Sequence, residues 1–85
     1  MNRINIPLML QQIAGNQAIV EVEGTTIREC KDNLIKRFPG FQEWLDEDNP
    51  MAWITVNQKL ISLTEIDQEV SESDELDIIL LLAGG

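Results

Sequence analysis

One strong helical pattern within 85 residues is the feature that most limits how this chain can fold. The pattern begins at Thr26, which has capping-box spacing to Glu29, and it ends at Pro39-Gly40. Between these points the apolar side chains recur at helical spacing, at Ile27, Cys30, Leu34 and Phe38. A single helix covers only one face of a sheet, so the rest of the chain must supply strands that pack against this stripe.

Two strand patterns precede the helix. Apolar and polar side chains alternate in residues 4–11, which is typical of a half-buried strand, and residues 17–23 repeat the alternation. The turn residues Ala14-Gly15-Asn16 separate them, so the pair predicts an N-terminal hairpin. Pro7 has no backbone N–H, and pairing on one side of the first strand must therefore end or bulge there.

Three more strand patterns follow the helix, at residues 53–56, 59–62 and 75–82. A short apolar turn at residues 41–45 and an acidic loop at residues 46–50 separate them from the helix. The first two flank Asn57-Gln58, a two-residue turn in which Gln58 is a weaker choice than glycine. The last strand has four apolar residues on one face: Leu76, Ile78, Leu80 and Leu82.

The order of these elements is β, β, α, β, β, β. It predicts an α+β chain with a β-grasp, or ubiquitin-like, fold: a mixed sheet of four to five strands packed on one main helix. We expect residues 1–82 to form a single domain, because a chain of this length buries only about 60–65% of its unfolded surface and supports one core. Residues 83–85, Ala-Gly-Gly, are expected to form a flexible tail.

The composition excludes most catalytic constellations. The chain has no histidine and a single cysteine, Cys30, so it lacks the commonest general base and cannot form an internal disulfide. We expect Cys30 to be a buried structural thiol, because it lies on the apolar stripe of the helix. Two acidic clusters, at residues 46–48 and 72–77, lack the glycine-punctuated spacing of a calcium loop, and we expect them to be solvated loops. We therefore expect no enzyme activity, no metal and no bound cofactor.

The net charge of -9 is concentrated in residues 41–85, which hold eleven acidic side chains and one basic side chain, Lys59. Such an excess repels nucleic acid and anionic lipid and attracts a basic partner surface, although solubility alone is the other explanation. No apolar run reaches the roughly 18–20 residues of a membrane span, and no signal-peptide pattern follows Met1. We expect a soluble, cytoplasmic protein that is monomeric when free, with no nucleic acid or membrane partner.

The chain ends in Leu82-Ala83-Gly84-Gly85, directly after the last strand pattern. Five further motifs accompany this ending: Ile6-Pro7-x-x-Leu10, Gly15-x-Gln17, Arg37-Phe38-Pro39-Gly40, Val56-Asn57 and Ser73-Asp74-Glu75-Leu76. Together they make the chain resemble the MoaD/ThiS-type sulfur carriers over almost its whole length, with a start closest to the CysO-like branch. It departs from the family pattern at Gln58 and Ser73, where glycine is usual, and at Leu80-Leu81-Leu82, where MoaD-like chains have prolines.

The resemblance implies that Gly85 is the working residue. Its carboxylate would be adenylated with ATP by a partner enzyme of the MoeB/ThiF type and then converted to a thiocarboxylate. The sulfur would pass to an acceptor enzyme, MoaE-like or equivalent, while Gly84 and Ala83 give the tail clearance. Length and helix pattern favour a MoaD-like carrier for molybdopterin over the shorter ThiS-like carriers, and thiamin, cysteine or another product remain alternatives.

Two other functions stay open. The same activated Gly85 could be attached to lysines of target proteins, which would make the chain a ubiquitin-like modifier. Alternatively, the chain could be a β-grasp interaction subunit that makes no use of its tail.

The outer face of the sheet is a second candidate site, because β-grasp folds pair the first and last strands. We expect an exposed apolar patch there, formed by Pro7, Met9, Ile79 and Leu81. We expect an acidic rim around it, formed by Asp74, Glu75 and Asp77. Such a surface suits docking to an activating or acceptor enzyme. The alternative is that residues 41–53 and their tryptophans cover this face.

Overall fold

The structure of the chain is a computed structural model that describes residues 1–81. Its strands are β1 (Asn2–Asn5), β2 (Ile19–Val22), β3 (Ala52–Val56), β4 (Lys59–Leu60) and β5 (Leu76–Leu80), and its α-helix is α1 (Ile27–Arg37). Short 3-10 helices lie at Leu8–Leu10, Pro39–Phe41 and Leu63–Glu65. The strands follow the spatial order β2-β1-β5-β3-β4, in which β1 and β5 are parallel and the other neighbours are antiparallel. This mixed sheet with one main helix confirms the predicted α+β, β-grasp fold.

Helix α1 is fixed at both ends by local interactions. At its start the Thr26 side chain accepts a hydrogen bond from the backbone N–H of Glu29 at 3.2 Å, as the capping pattern predicts. The Glu29 carboxylate accepts from the backbone N–H of Thr25 at 2.9 Å, one residue earlier than a capping box requires. At the other end Phe38 leaves the helical conformation because Pro39 follows it. No helix within residues 1–81 is long and apolar enough to cross a membrane.

The apolar stripe of α1 packs against one face of the sheet. Of the four predicted stripe residues, Ile27, Cys30 and Leu34 are buried and Phe38 is partly buried against the core. They share a core with inward-facing strand residues, among them Ile4, Val20, Ile54, Leu76 and Ile78. Phe41 and Leu45, from the apolar turn after the helix, are also buried. Each such side chain contributes about 1.5–3 kcal/mol when it is fully removed from water.

The first strand is shorter than its sequence pattern predicts. The alternation in residues 4–11 predicts a strand throughout, but β1 ends two residues before Pro7 and the chain turns into the 3-10 helix at Leu8–Leu10. Pro7 is the cause, because it donates nothing to the ladder and its carbonyl accepts from the N–H of Leu10 at 2.9 Å. Leu8, an apolar residue of the predicted alternation, is 82% exposed. The N-terminal hairpin itself is confirmed by the antiparallel pairing of β1 and β2.

Strands β4 and β5 are also shorter than predicted, whereas β3 begins one residue earlier than predicted; their order agrees with the prediction. β4 stops at Leu60 because the chain turns into the 3-10 helix at Leu63–Glu65. In β5 the inward residues Leu76 and Ile78 are buried, and Leu82 lies outside the described residues. The turn between β3 and β4 has the predicted two residues, Asn57-Gln58, with φ angles of 51° and 71°.

Candidate functional site

An open groove on the sheet brings three parts of the chain together. It is lined by nine residues: Asn5, Ile6, Pro7, Thr55, Gln58, Glu75, Asp77, Ile78 and Ile79. The parallel register of β1 and β5 creates the groove, because Asn5 lies opposite Asp77 and the residues that follow each of them stay side by side. On the other side of β5, Thr55 is the partner of Asp77. We call these nine residues the sheet groove.

The sheet groove contains two of the four residues predicted to form an apolar patch. Pro7 and Ile79 line it together, and Ile79 is 36% exposed. Met9 is 73% exposed but lies outside the lining, because the chain has left the sheet in the 3-10 helix after Pro7. Leu81 is partly buried against the core, and its N–H donates to the carbonyl of Met51 at 2.9 Å. The structure therefore joins Pro7 to Ile79 and places Met9 and Leu81 elsewhere.

The predicted acidic rim is divided in the same way. Glu75 and Asp77 line the sheet groove, whose described lining includes no lysine or arginine. Asp74 is held in the turn before β5, where its carboxylate accepts from the Ser71 N–H at 2.8 Å and from the Asn57 side-chain amide at 3.0 Å. These hydrogen bonds lower the pKa of Asp74 below its usual range. The groove thus combines the apolar residues Pro7 and Ile79 with the negatively charged residues Glu75 and Asp77. Such a surface complements a basic partner surface.

The turn between β3 and β4 supplies Gln58, a groove residue that the sequence patterns do not predict. Asn57 fixes this turn to the segment before β5: its backbone N–H donates to the Glu75 carbonyl at 2.8 Å, and its side-chain oxygen accepts from the Glu75 N–H at 2.9 Å. Gln58 then follows in the left-handed conformation, exposed and at the edge of the groove. The one indication in the sequence is the poor fit of glutamine to a position that favours glycine.

The tryptophans do not line the sheet groove, although the alternative expectation places them over this face. Trp53 is 6% exposed, and its indole N–H donates to the carbonyl of Ile61 at 2.6 Å. Trp44 is partly buried and packs against the core. Neither side chain belongs to the lining, so within residues 1–81 the groove is open to solvent.

A group of ion pairs fixes the acidic loop to the helix. Lys31 is 4% exposed, and its Nζ lies 2.8 Å from the Glu47 carboxylate and 5.7 Å from the centroid of the Trp53 ring. Arg28 contacts the same carboxylate at 3.2 Å and Asp67 at 2.8 Å. The hydrogen bond from Lys31 is the main reason that the pKa of Glu47 is lowered. Glu47 is therefore a structural anchor within a loop that the sequence predicts to be simply solvated.

Cys30 is buried, as the helical pattern predicts. Burial raises the pKa of its thiol, and the side-chain amide of Asn2 donates to its Sγ at 3.3 Å. A protonated and inaccessible thiol is a poor nucleophile, which agrees with a structural role.

The residues with the predicted tail chemistry, Ala83, Gly84 and Gly85, lie outside the described residues. The last described residue is Leu81, which follows the central strand β5 and is anchored to Met51 by its backbone N–H.

The fold and the sheet groove together define a small ubiquitin-like protein with an open, acidic sheet face. The model of the ThiS family matches residues 4–85 of the chain. The chain belongs to the ThiS family, and it is a ubiquitin-like sulfur carrier of the MoaD/ThiS type. Carriers of this type are not catalysts themselves.

Several solved structures share this fold. CysO of Amycolatopsis orientalis, determined in a BexX/CysO complex, is 26% identical with a TM-score of 0.81, and 100% of each chain is covered. CysO of Mycobacterium tuberculosis, described as an antigen, is 20% identical with a TM-score of 0.78, over 96% of this chain and 100% of its own. The putative molybdopterin converting factor subunit 1 of Pyrococcus furiosus is 24% identical with a TM-score of 0.69, over 94% and 95%. No curated protein shows significant sequence similarity to the chain.

Proposed function

We propose that the chain carries sulfur as a thiocarboxylate on Gly85 and delivers it for the synthesis of a cofactor or metabolite. This proposal rests on the extent of the family match, which includes the C-terminal residues up to Gly85. The absence of histidine from the sequence and the burial of its one cysteine agree with a chain on which other enzymes act.

The chemistry requires activation of the terminal carboxylate, which reacts poorly with nucleophiles until one oxygen becomes a leaving group. In the proposed first step a carboxylate oxygen of Gly85 bonds to the α-phosphorus of ATP, held by a MoeB/ThiF-type enzyme, and pyrophosphate leaves. A sulfide equivalent then attacks the carbonyl carbon, a C–S bond forms, and AMP departs with the C–O bond electrons. Gly84 and Ala83 would let the chain end enter a narrow channel, because neither has a long side chain.

We propose that the sheet groove is the surface on which these partner enzymes dock. Pro7 and Ile79 offer an apolar contact, and Glu75 and Asp77 offer charges that steer a basic surface into place. Met9, two residues after Pro7 in the chain, is exposed and would extend the contact beyond the groove. Leu81 and Asp74 would act indirectly, by anchoring the end of β5 and the turn before it.

We propose molybdopterin as the product, with a MoaE-like acceptor, because the length and helix pattern favour a MoaD-like carrier. Incubation of the thiocarboxylated chain with a MoaE-like subunit and the molybdopterin precursor should consume the sulfur. Retention of the sulfur there, with consumption by an acceptor that makes thiamin or cysteine, would reassign the pathway and leave the carrier role intact.

Intact-mass spectrometry tests the carrier role. After incubation with ATP, a MoeB/ThiF-type enzyme and a sulfide source, exchange of one oxygen for sulfur should add about 16 Da. A chain lacking Gly84-Gly85 still ends in a carboxylate, at Ala83, and should gain nothing. The control variant Glu43→Gln changes an exposed residue in the acidic second half of the chain, and it should show the full gain of about 16 Da. Absence of the shift in the full chain with every such enzyme of its own organism would refute the proposal.

Intact-mass measurement of adducts formed in cells, and partner binding after deletion of the tail, separate the two other functions. A modifier would show the chain joined to lysines of target proteins, with loss of one water for each isopeptide bond, and no adducts after removal of Gly85. An interaction subunit would bind its partners equally well without Gly84-Gly85 and would show no mass change.

A further inference from the structure

Gln58 occupies a backbone conformation that suits glycine. Its φ of 71° lies in the left-handed region, as does the φ of 51° at Asn57. Asparagine adopts this region more readily than other residues with side chains, whereas glutamine has no such tendency. The second position of this kind of hairpin turn is therefore one where a glutamine destabilises the folded chain relative to glycine.

The fold itself does not account for the glutamine side chain. Within residues 1–81 the side-chain hydrogen bonds of this turn are made by Asn57, which binds Asp74 and Glu75. Gln58 is exposed, its side-chain amide has no hydrogen-bond partner there, and it lines the sheet groove. Residues held in sparsely populated backbone conformations cluster at functional sites, which makes Gln58 a candidate contact residue of the groove.

We propose that Gln58 is a specificity-determining residue for the partner that docks in the sheet groove, and this inference rests on the proposed carrier function. The occupant is a segment of the adenylating enzyme with a basic side chain next to an apolar one. The basic side chain would lie against Glu75 and Asp77, and the apolar one against Pro7 and Ile79. The Gln58 amide both donates and accepts, so it suits a peptide group of that segment.

The charges of the groove support this choice of occupant. Two carboxylates and no cation lie among the nine lining residues. The basic residues nearest to the lining in sequence contact other carboxylates: Lys59 lies 3.7 Å from Glu65, and Arg3 lies 3.9 Å from Glu21. An uncompensated acidic groove favours a basic partner and disfavours an acidic one.

The test compares two changes at Gln58 with a change at a matched position. Gln58→Gly relieves the backbone strain and removes the amide, whereas Gln58→Ala keeps the strain and removes the amide. Asn16→Gly is the control, because Asn16 is exposed, has a φ of 63° and lies outside the groove lining. The probe is the MoeB/ThiF-type enzyme of the same organism, titrated calorimetrically without ATP.

We expect Gln58→Gly to raise the midpoint of thermal unfolding by about 4 °C and to weaken binding about three- to tenfold, the range of one lost hydrogen bond. Gln58→Ala should weaken binding equally without the gain in stability. Asn16→Gly should bind as the wild type does. A higher salt concentration should weaken binding of the wild-type chain, because salt screens the attraction between the basic segment and the carboxylates of Glu75 and Asp77.

Binding of both Gln58 variants within twofold of the wild type would overturn the inference. If the wild-type chain gains sulfur in the mass assay while these variants bind normally, the carrier function stands and the role of Gln58 falls. If the wild-type chain neither binds the enzyme nor gains sulfur, the carrier function falls and the inference falls with it.

Discussion

Replacing Glu47 by glutamine should destabilise the domain by about 1–2 kcal/mol. The Glu47 carboxylate accepts from Lys31, whose side chain is 5% exposed, and also from Arg28. Loss of a hydrogen bond to a charged group costs about 1.5–3 kcal/mol. The lower figure applies here because the Glu47 side chain is 36% exposed, so water screens it. Asp32, 4.0 Å from the Lys31 ammonium, and the Trp53 ring would also still stabilise the cation.

Urea and thermal unfolding at pH 7 measure this loss. For a domain of this size each kcal/mol lowers the unfolding midpoint by about 4–8 °C. Glu43→Gln makes the same chemical change in the same segment, at an exposed residue that forms no ion pair within residues 1–81. We expect that control to stay within about 0.5 kcal/mol of the wild type. The gap between the two variants should persist in 1 M salt, because the ammonium is buried.

Equal unfolding midpoints for Glu47→Gln and Glu43→Gln would contradict the predicted stabilising role of the Lys31–Glu47 contact. That result would mean that Lys31 loses nothing when its partner becomes neutral, and that the acidic loop is held by its apolar residues alone. A gap that disappears in high salt would show that the pair behaves as a surface ion pair.

Two further predictions follow from local contacts. Gly24→Ala should cost about 2–4 kcal/mol of unfolding free energy in urea, because φ is 151° and an added Cβ would lie 2.9 Å from both the backbone N and the Sγ of Cys30; a loss below 1 kcal/mol would contradict this. The stability difference between the wild type and Glu47→Gln should be constant above pH 5 and shrink as the pH falls below about 4.5. The pKa of Glu47 is lower in the folded state than in the unfolded state. Its contribution to the free energy of unfolding is therefore present above the unfolded-state pKa and is lost on acidification. A stability difference that grows in acid would contradict this prediction.

The parts of the fold that depend on local pattern could be read from the sequence. The capped helix, the antiparallel pairing of the first two strands and the alternating faces of β5 agree with the prediction. The strand predicted at residues 4–11 is wrong after Asn5, because alternation alone does not distinguish a strand from a short 3-10 helix that also buries Leu10. The missing backbone N–H of Pro7 favours the 3-10 helix over the strand.

The candidate site was less predictable, because its residues meet through strand order rather than sequence spacing. Pro7 and Ile79 share a groove only because β1 and β5 are parallel neighbours. Burial of Lys31 depends on Glu47, sixteen residues away, which no helical pattern reveals. Gln58 is a groove residue because the turn after β3 closes beside β5.

The central position of β5 has a consequence for the synthesis of the chain. The hairpins β1-β2 and β3-β4 do not pair with each other, and the last strand joins them. Isolated hairpins are at best marginally stable, so a nascent chain on the ribosome has no finished sheet until residue 80 has left the exit tunnel. Completion of the five-stranded sheet therefore has to wait for β5. A chain that lacks this strand would leave the two hairpins without the backbone hydrogen bonds that join them.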